Sequence, residues 1–273
     1  MKKQIIRKLT ILALALTMLL SLAACGNGSA QNTAEQGDLL ARIRARGSIT
    51  VATEGDWSPW TYHDESDTLT GFDVELAALI AEGLGVTVEY QETDWDSILA
   101  GVDTGRFDIA CNGVDYTDER AGKYNFSTPY LYMQEVLVVR ADNEDIHGIG
   151  DLAGRTTTNS PNSTYAQIAE EAGAEVLYVN TLLETIQALE QGRADATINA
   201  RVSIEDYLRE HPDAPIKIVY ESEGTSVCIP ARKDADTESL MAAIDEILEG
   251  LRQDGRLGAL SEKYFGADLT KRA

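Results

Sequence analysis

The sequence predicts an α/β protein of two similar lobes, each a mostly parallel sheet flanked by helices. Short apolar runs typical of strands alternate with amphipathic runs typical of helices along the body of the chain. Such alternation is typical of mostly parallel sheets covered by helices. A repeat suggests two lobes, because Gly105–Asp108 (GRFD) recurs as Gly192–Asp195 (GRAD), each after a helical pattern in the same phase.

The individual elements are predicted from hydrophobic periodicity, which separates strands from helices. Asp94 suits a helix N-cap, and Gly85 suits a helix end. The predicted strands are 49–53, 86–90, 107–111, 176–179, 196–199, 216–220 and 227–229. The predicted helices are 72–84, 95–102, 163–172, 181–191, 202–211, 236–254 and 257–265.

Two asparagines mark the expected site. Asn112 and Asn199 each follow a strand of the repeat. Parallel α/β sheets bind ligands beyond the carboxyl ends of their strands, and binding sites often lie between domains. We therefore expect these two segments to face each other across a cleft between the lobes.

Composition excludes several classes of protein. The 273 residues include 23 Lys+Arg and 45 Asp+Glu, a net charge of −22, and 44% are hydrophobic. This composition excludes disorder and argues against nucleic acid or an anionic membrane surface as an electrostatic partner. His63, His147 and His211 lack metal-ligand spacing, and no glycine-rich phosphate loop is present, so no metal or cofactor is expected.

The N-terminus is predicted to be a secretion signal. Basic residues from Lys2 to Lys8 precede an apolar run from Leu9 to Ala24 with small residues at its end. A transmembrane anchor is the alternative, but this run is short for a span of roughly 20 residues.

The segment Leu22–Cys25 (LAAC) resembles the bacterial lipobox. The resemblance implies cleavage before Cys25 and lipidation of its thiol, with residues 1–24 as signal peptide. Residues 25–39 are rich in Gly, Asn, Ser, Ala and Gln, which indicates a flexible tether. The protein is therefore expected to be exported and held by lipid on the outer face of the cell membrane, the periplasmic side in a Gram-negative cell.

Two cysteines remain in the body of the chain. Cys111 and Cys228 lie in apolar runs, so they are expected to be small buried hydrophobes. A disulfide between them is the alternative, because the sequence cannot say whether the two sulfurs meet.

Four motifs carry a family resemblance: Gly71–Glu75 (GFDVE), Gly113–Arg120 (GVDYTDER), Phe126–Tyr130 (FSTPY) and Ser261–Gly266 (SEKYFG). They resemble the bacterial extracellular solute-binding proteins of amino-acid ABC transporters, in the right order from about residue 40 to the end. Within that family, Thr53–Gly55 and Tyr62–Asp64 look most like the cystine-binding branch.

The resemblance implies a two-lobed type II periplasmic-binding fold with a two-strand hinge. Lobe 1 would take 40–138 plus 225–273, and lobe 2 would take 141–222, with crossings near 136–140 and 221–227. The protein would be a monomer that traps an amino acid, cystine or a related one, and delivers it to a membrane permease without chemistry. The rival is an exported cyclohexadienyl (prephenate or arogenate) dehydratase-like enzyme, which resembles the same fold family.

The resemblance also assigns ligand-binding roles. Arg120 would grip the ligand's α-carboxylate, because its parallel N–H donors match two carboxylate oxygens. Thr117 and the backbone around Gly113 would add donors. The alternative is a surface arginine paired with Asp118 or Glu119.

On lobe 2, Ser163 and Thr164 precede a helix whose N-terminus would attract the same anion, or they simply cap it. Trp57 and Trp60 match aromatic positions that cover the ligand's side chain, with core packing as the alternative. Glu54 matches an acidic position that contacts the ligand's amine, or is a solvated carboxylate.

Two positions depart from the family pattern. Asp115 stands where the family usually has Ser or Thr, and Ala200 stands where it has the ammonium-binding Asp; the adjacent Asn199 carries no charge. We therefore expect Asp115, with Glu54, to bind the ammonium; the alternative is a ligand that is not a standard zwitterion. Arg201 would contact a second carboxylate, as in cystine or a diacid, or is an exposed helix-start residue.

Overall fold

The computed structural model describes residues 37–272, so the predicted signal peptide, Cys25 and most of the tether lie outside the described residues. Residues from Asp38 onward form one compact unit. Among the described helices, none is long and apolar enough to cross a membrane.

The predicted alternation of strands and helices is present, but unpredicted consecutive strands interrupt it, as in residues 56–70 and 124–140, and helices Leu39–Arg46 and Asp118–Lys123 were not predicted. The strands are β1 (Ser48–Thr53), β2 (Asp56–Trp57), β3 (Thr61–His63), β4 (Leu69–Thr70), β5 (Thr87–Glu92), β6 (Ile109–Ala110), β7 (Tyr124–Phe126), β8 (Leu131–Met133), β9 (Glu135–Arg140), β10 (Thr156–Asn159), β11 (Glu175–Tyr178), β12 (Ala196–Ala200), β13 (Ile216–Glu221), β14 (Thr225–Val227) and β15 (Pro230–Arg232). The helices are α1 (Leu39–Arg46), α2 (Phe72–Leu84), α3 (Trp95–Asp103), α4 (Asp118–Lys123), α5 (Thr164–Glu171), α6 (Leu182–Glu190), α7 (Arg201–Glu210), α8 (Glu238–Gln253) and α9 (Arg256–Phe265).

Two five-stranded sheets define the two lobes. Lobe 1 has the order β5-β1-β6-β15-β7 and lobe 2 the order β11-β10-β12-β9-β13. In each sheet the first three strands are parallel and the fourth is antiparallel to both neighbours. The prediction of two similar, mostly parallel lobes is confirmed.

The repeated motif performs the same task in both lobes. Its glycines have left-handed backbones, with φ of +73° at Gly105 and +69° at Gly192. The carboxylates then reach the neighbouring strand: Asp108 accepts from the Thr50 N–H at 2.7 Å, and Asp195 from the Thr156 N–H at 2.9 Å. Each motif thus ties the central strand of its sheet, β6 or β12, to the second strand, β1 or β10.

Large apolar side chains of α2, α8 and α9 pack on the lobe 1 sheet. Phe72, Trp60 and Tyr130 are fully buried there. Burying each such side chain contributes about 1.5–3 kcal/mol. Lobe 2 has its own smaller core around Leu137, Val139 and Ile198.

The chain crosses between the lobes twice. It leaves lobe 1 between β8 and β9, and it returns between β13 and β14. The Ser222 N–H donates to the Glu135 carbonyl at 2.9 Å, which ties the two crossings together. The first crossing precedes the predicted limit at 138, because all of Glu135–Arg140 pairs within the lobe 2 sheet.

Smaller differences have local causes. The predicted tether ends too late, because Asp38 caps α1 and Leu39 is buried in the lobe 1 core. The polar strand β10, Thr156–Asn159, was not predicted because it lacks apolar residues. Cys111 and Cys228 are both buried and unbonded, so the described structure has them as small core residues rather than a disulfide.

Candidate ligand-binding cleft

A small cleft lies between the lobes. It is found beyond the carboxyl ends of β1, β6, β10 and β12, where the sequence places the site. Lobe 1 contributes Glu54, Asp56, Trp57, Trp95, Gly113 and Asp115. Lobe 2 contributes Asn159, Ser160, Ser163, Thr164, Tyr165, Asn180, Leu182, Thr185 and Asn199.

Hydrogen bonds join the lobes across this cleft. The Thr164 hydroxyl donates to Asp115 Oδ2 at 2.6 Å, and Ser58 Oγ donates to Asp206 Oδ2 at 2.6 Å. Arg120 Nη2 donates to the Asn162 carbonyl at 3.3 Å. The lobes are therefore in a closed arrangement.

Asp115 is a buried carboxyl group, with 4% of its surface exposed. Thr164 donates to one of its oxygens, and the other, Oδ1, has no hydrogen-bond partner among the described residues. Burial is the main reason that the pKa of Asp115 is raised to about 7; Glu135 raises the pKa further, while the Thr164 hydrogen bond and Arg120 lower it. The carboxyl is thus poised to ionise when a cation arrives.

Arg120 is buried in the same lobe, with 8% exposed. Its Nη1 donates to the Asp115 carbonyl at 3.1 Å, and its guanidinium lies 5.4 Å over the Trp95 ring. Burial lowers the pKa of Arg120, but an arginine stays charged. Glu119 pairs with Lys123 at 2.8 Å instead of with Arg120.

Arg120 and Thr117 line a groove that adjoins the cleft at Ser163. The Thr117 hydroxyl accepts from the Arg120 N–H at 3.1 Å and so caps α4. Its role in this structure is to hold Arg120 in place.

Glu54 lines the cleft and is held from below by Asn112. Asn112 is fully buried; its Nδ2 donates to Glu54 Oε2 at 2.6 Å, and its Oδ1 accepts the Glu54 N–H at 2.8 Å. Burial, with Asp56 and Asp94 nearby, raises the pKa of Glu54 to about 7 against the lowering effect of the Asn112 bond. Asn112 therefore positions a cleft residue and does not line the cleft itself.

The two tryptophans have different places. Trp57 lines the cleft, and Trp60 stacks behind it with ring centroids 5.3 Å apart. Trp60 is fully buried against Phe72 and Phe265, so the expectation that it covers a ligand is replaced by core packing.

Gly113 lets the backbone approach Trp57 closely. Its φ is +57°, and a Cβ there would lie 2.6 Å from Trp57 Cζ3. Its N–H donates to Asp73 Oδ2 at 2.5 Å, and Tyr130 donates to the other oxygen of Asp73 at 2.8 Å. The Gly113 N–H therefore holds the loop and is not offered to a ligand.

Replacing Gly113 by alanine should weaken ligand binding roughly tenfold and lower the melting temperature, because the new Cβ displaces Trp57 and the left-handed backbone costs about 1–2 kcal/mol. Titration calorimetry and thermal unfolding measure the two effects. Gly122→Ala is the matched control, since its Cβ meets nothing within 4 Å in helix α4. An unchanged affinity in Gly113→Ala would contradict the tight contact.

Three of the predicted lobe 2 residues line the cleft: Ser163, Thr164 and Asn199. Ser163 caps α5 by accepting from the Ala166 N–H at 3.1 Å, and Thr164 bonds Asp115. Asn199 lines the cleft, with its Oδ1 accepting the Ala200 N–H at 2.8 Å.

Arg201 does not line the cleft. It pairs with Glu205 at 2.7 Å and with Glu221 at 2.7 Å, and donates to Gln134 at 3.2 Å near the crossings. The expectation that it meets a second ligand carboxylate is corrected, because these three acceptors hold it at the hinge.

Comparison with known proteins identifies the class. Residues 49–267 match the bacterial extracellular solute-binding proteins, family 3. The chain therefore belongs to this family of transport-binding proteins, as its motifs predict.

Individual relatives of this chain are also amino-acid transport-binding proteins. A probable amino-acid ABC transporter-binding protein of Haemophilus influenzae is 38% identical, covering 86% of this chain and 91% of its own. The L-cystine-binding protein TcyA of Bacillus subtilis is 37% identical over 99% of this chain and 100% of its own. These relatives are transport-binding proteins rather than enzymes, which supports a binding protein over the dehydratase alternative.

Solved structures show the same fold. An ancestral arginine-binding protein bound to arginine has a TM-score of 0.76 at 34% identity, covering 81% of this chain and 99% of its own. The L-cystine solute receptor of Neisseria gonorrhoeae, unliganded and open, has a TM-score of only 0.57 at 38% identity, covering 86% and 100%. Because the more identical chain superposes less well, the comparison agrees with closed lobes here.

Proposed function

We propose that this protein is the lipid-anchored binding component of an ABC importer, which captures cystine or a related polar amino acid between its lobes and delivers it to the permease. The observation that carries the proposal is the closed cleft, which is lined by the carboxyls of Glu54 and Asp115 and adjoins, at Ser163, the groove that contains the buried Arg120. A zwitterionic amino acid has the matching charges. The lipobox-like Leu22–Cys25 supports the anchor.

The orientation of the ligand follows from these charges. Its α-carboxylate would lie in the groove between Arg120 and the start of α5, and its α-ammonium would meet Asp115. Relative to the family pattern, the chain has gained a carboxylate at Asp115. It has lost one at position 200, where the fully buried Ala200 replaces the ammonium-binding Asp.

The far end of the cleft favours a ligand with a second amine. A small pocket continues from it, lined by Glu54, Asp56, Glu92, Thr93, Asp94 and Asn180. Among the described residues, neither this pocket nor the cleft is lined by a lysine or arginine. A second ammonium group, which cystine supplies together with a second carboxylate, would be attracted to this pocket, whereas a simple dicarboxylate, which has only the carboxylate, would be repelled.

A thermal-shift screen of residues 26–273 against amino acids, cystine, diamines and dicarboxylates tests the function. A ligand that binds only the folded state at 100 times its Kd stabilises it by about 2.7 kcal/mol, which raises the melting temperature by roughly 5–10 °C. We expect this shift with cystine or one polar amino acid. A shift with dicarboxylates alone would overturn the proposal.

A further inference from the structure

The lobe 2 wall of the cleft contains an amide whose oxygen is unused. Asn159, at the end of β10, is buried to 1% exposure and lines the cleft. Its Nδ2 donates to the Ile198 carbonyl at 2.7 Å and lies 3.3 Å from the Thr197 hydroxyl oxygen. Within residues 37–272, its Oδ1 has no hydrogen-bond partner.

The orientation of this amide is fixed by chemistry. The Ile198 carbonyl can only accept a hydrogen bond, so turning the amide around would bring two acceptors together. Asn159 therefore presents an acceptor, and not a donor, as its unused group.

A second unused acceptor belongs to the opposite lobe. Asp115 Oδ1 is buried without a partner, while Oδ2 is taken by Thr164. Buried polar atoms are nearly always hydrogen-bonded in native proteins, and the exceptions need an explanation. Of the eight such side-chain atoms among the described residues, only these two belong to side chains that line the cleft, one on each lobe.

We infer that Asn159 is a specificity-determining residue whose Oδ1 accepts a hydrogen bond from the ligand's ammonium group, which Asp115 binds from the other lobe. The inference rests on the proposed function and specifies its ligand class as primary amines in their protonated form. An ammonium carries several N–H donors, so one group can satisfy both acceptors. A carboxylate offers no donor, and an N-acylated amine offers only one.

This arrangement also links recognition to closure. Because the two acceptors lie on different lobes, an ammonium bonded to both is held only when the lobes are closed. A ligand stabilises the state to which it binds better. Binding of the ammonium group therefore stabilises the closed arrangement of the two lobes.

The test compares amino and desamino ligands in matched variants. The probes are L-cystine with 3,3′-dithiodipropionate, and L-arginine with 5-guanidinopentanoate, measured by calorimetry on residues 26–273. Asn159→Leu should weaken the amino acid that binds roughly 10- to 100-fold, and the preference for it over its desamino partner should shrink by the same factor. Thr157→Val is the control, because Thr157 is buried on the same strand with an unpartnered hydroxyl but does not line the cleft.

The double variant Asp115→Asn/Asn159→Leu supplies an independent measure. If both side chains bind one ammonium, the two losses are not additive, as for residues that share a partner. Additive losses, or an Asn159→Leu variant with unchanged affinity and unchanged amine preference, would show that water alone uses the Asn159 oxygen and would overturn the inference.

The inference can still be tested if a variant does not fold or if the wild type does not bind an amino acid. If Asn159→Leu does not fold, the wild type decides: equal binding of amino and desamino partners overturns the inference, and Asn159→Ala replaces the leucine variant. If the wild type binds no amino acid at all, the proposed function fails with it. A wild type that binds an amino acid while Asn159 variants behave normally would overturn the inference alone.

Discussion

Replacing Arg120 by alanine is expected to weaken amino-acid binding by roughly 30- to 4,000-fold, on the order of 2–5 kcal/mol. The guanidinium is buried and fixed by the carbonyls of Asp115 and Asn162 and by the Trp95 ring. Its preorganised fork is suited to a carboxylate. Without it, the cation left in the lining of the groove is Lys123, which is paired with Glu119, so most of the loss is the penalty for an unpaired carboxylate.

Two variants sharpen this experiment. Arg120→Lys keeps the charge but loses the fork, so its affinity should fall between those of the wild type and Arg120→Ala. Arg106→Ala removes an exposed arginine of the same lobe and should leave affinity unchanged. Titration calorimetry measures all three, with apo melting curves to confirm folding. A less than threefold loss in Arg120→Ala would refute the proposed orientation of the ligand.

The lobe architecture is readable from the sequence because it depends on local patterns. The repeated Gly-Arg-x-Asp motif encodes a left-handed turn and a carboxylate that binds the next strand, and the structure uses both copies in this way. The position of the cleft follows, because strand direction determines which edge of each sheet binds ligand.

The lobe 2 wall could not be predicted in the same way. Asn159 belongs to a strand of sequence Thr-Thr-Thr-Asn, in which Thr157 and Thr158 are fully buried although no residue is apolar. Hydrophobic periodicity cannot detect such a strand. Its place is decided by pairing with β11 and β12, which are distant in sequence.

Trp60 and Arg201 show a second limit, which is that motif position does not give side-chain direction. Trp57 and Trp60 are close in sequence and stacked in space, yet only Trp57 lines the cleft. Arg201 follows a cleft strand, but Glu221, brought near by the second crossing, draws it to the hinge. Both outcomes depend on long-range contacts.

Asp115 should make ligand binding depend on pH. Its pKa is about 7 in the ligand-free fold, mainly through burial, and an ammonium binds best to its ionised form. Affinity should therefore rise from about pH 5.5 to about pH 8, by at most about tenfold per unit below the pKa, and then level off. Glu54, whose pKa is also about 7, adds to this slope.

The ligand-free protein should respond in the opposite direction. A carboxyl whose pKa is raised on folding stabilises the fold below its unfolded pKa of 3.8, and that stability is lost as the pH rises through about 7. Asp115→Asn removes this loss, so the apo variant should melt at a higher temperature than the wild type above neutral pH. Thermal unfolding across the pH range measures this directly.

The same Asp115→Asn variant should bind its amino acid roughly 10- to 100-fold more weakly above neutral pH, because a charge-assisted hydrogen bond becomes neutral. Its affinity should also show a flatter pH profile, with only the Glu54 part remaining. Asp118→Asn removes an exposed carboxylate three residues away and should change neither property. A variant that gains apo stability yet keeps wild-type affinity and pH slope would place the ammonium elsewhere, because burial of Asp115 would then serve no ligand.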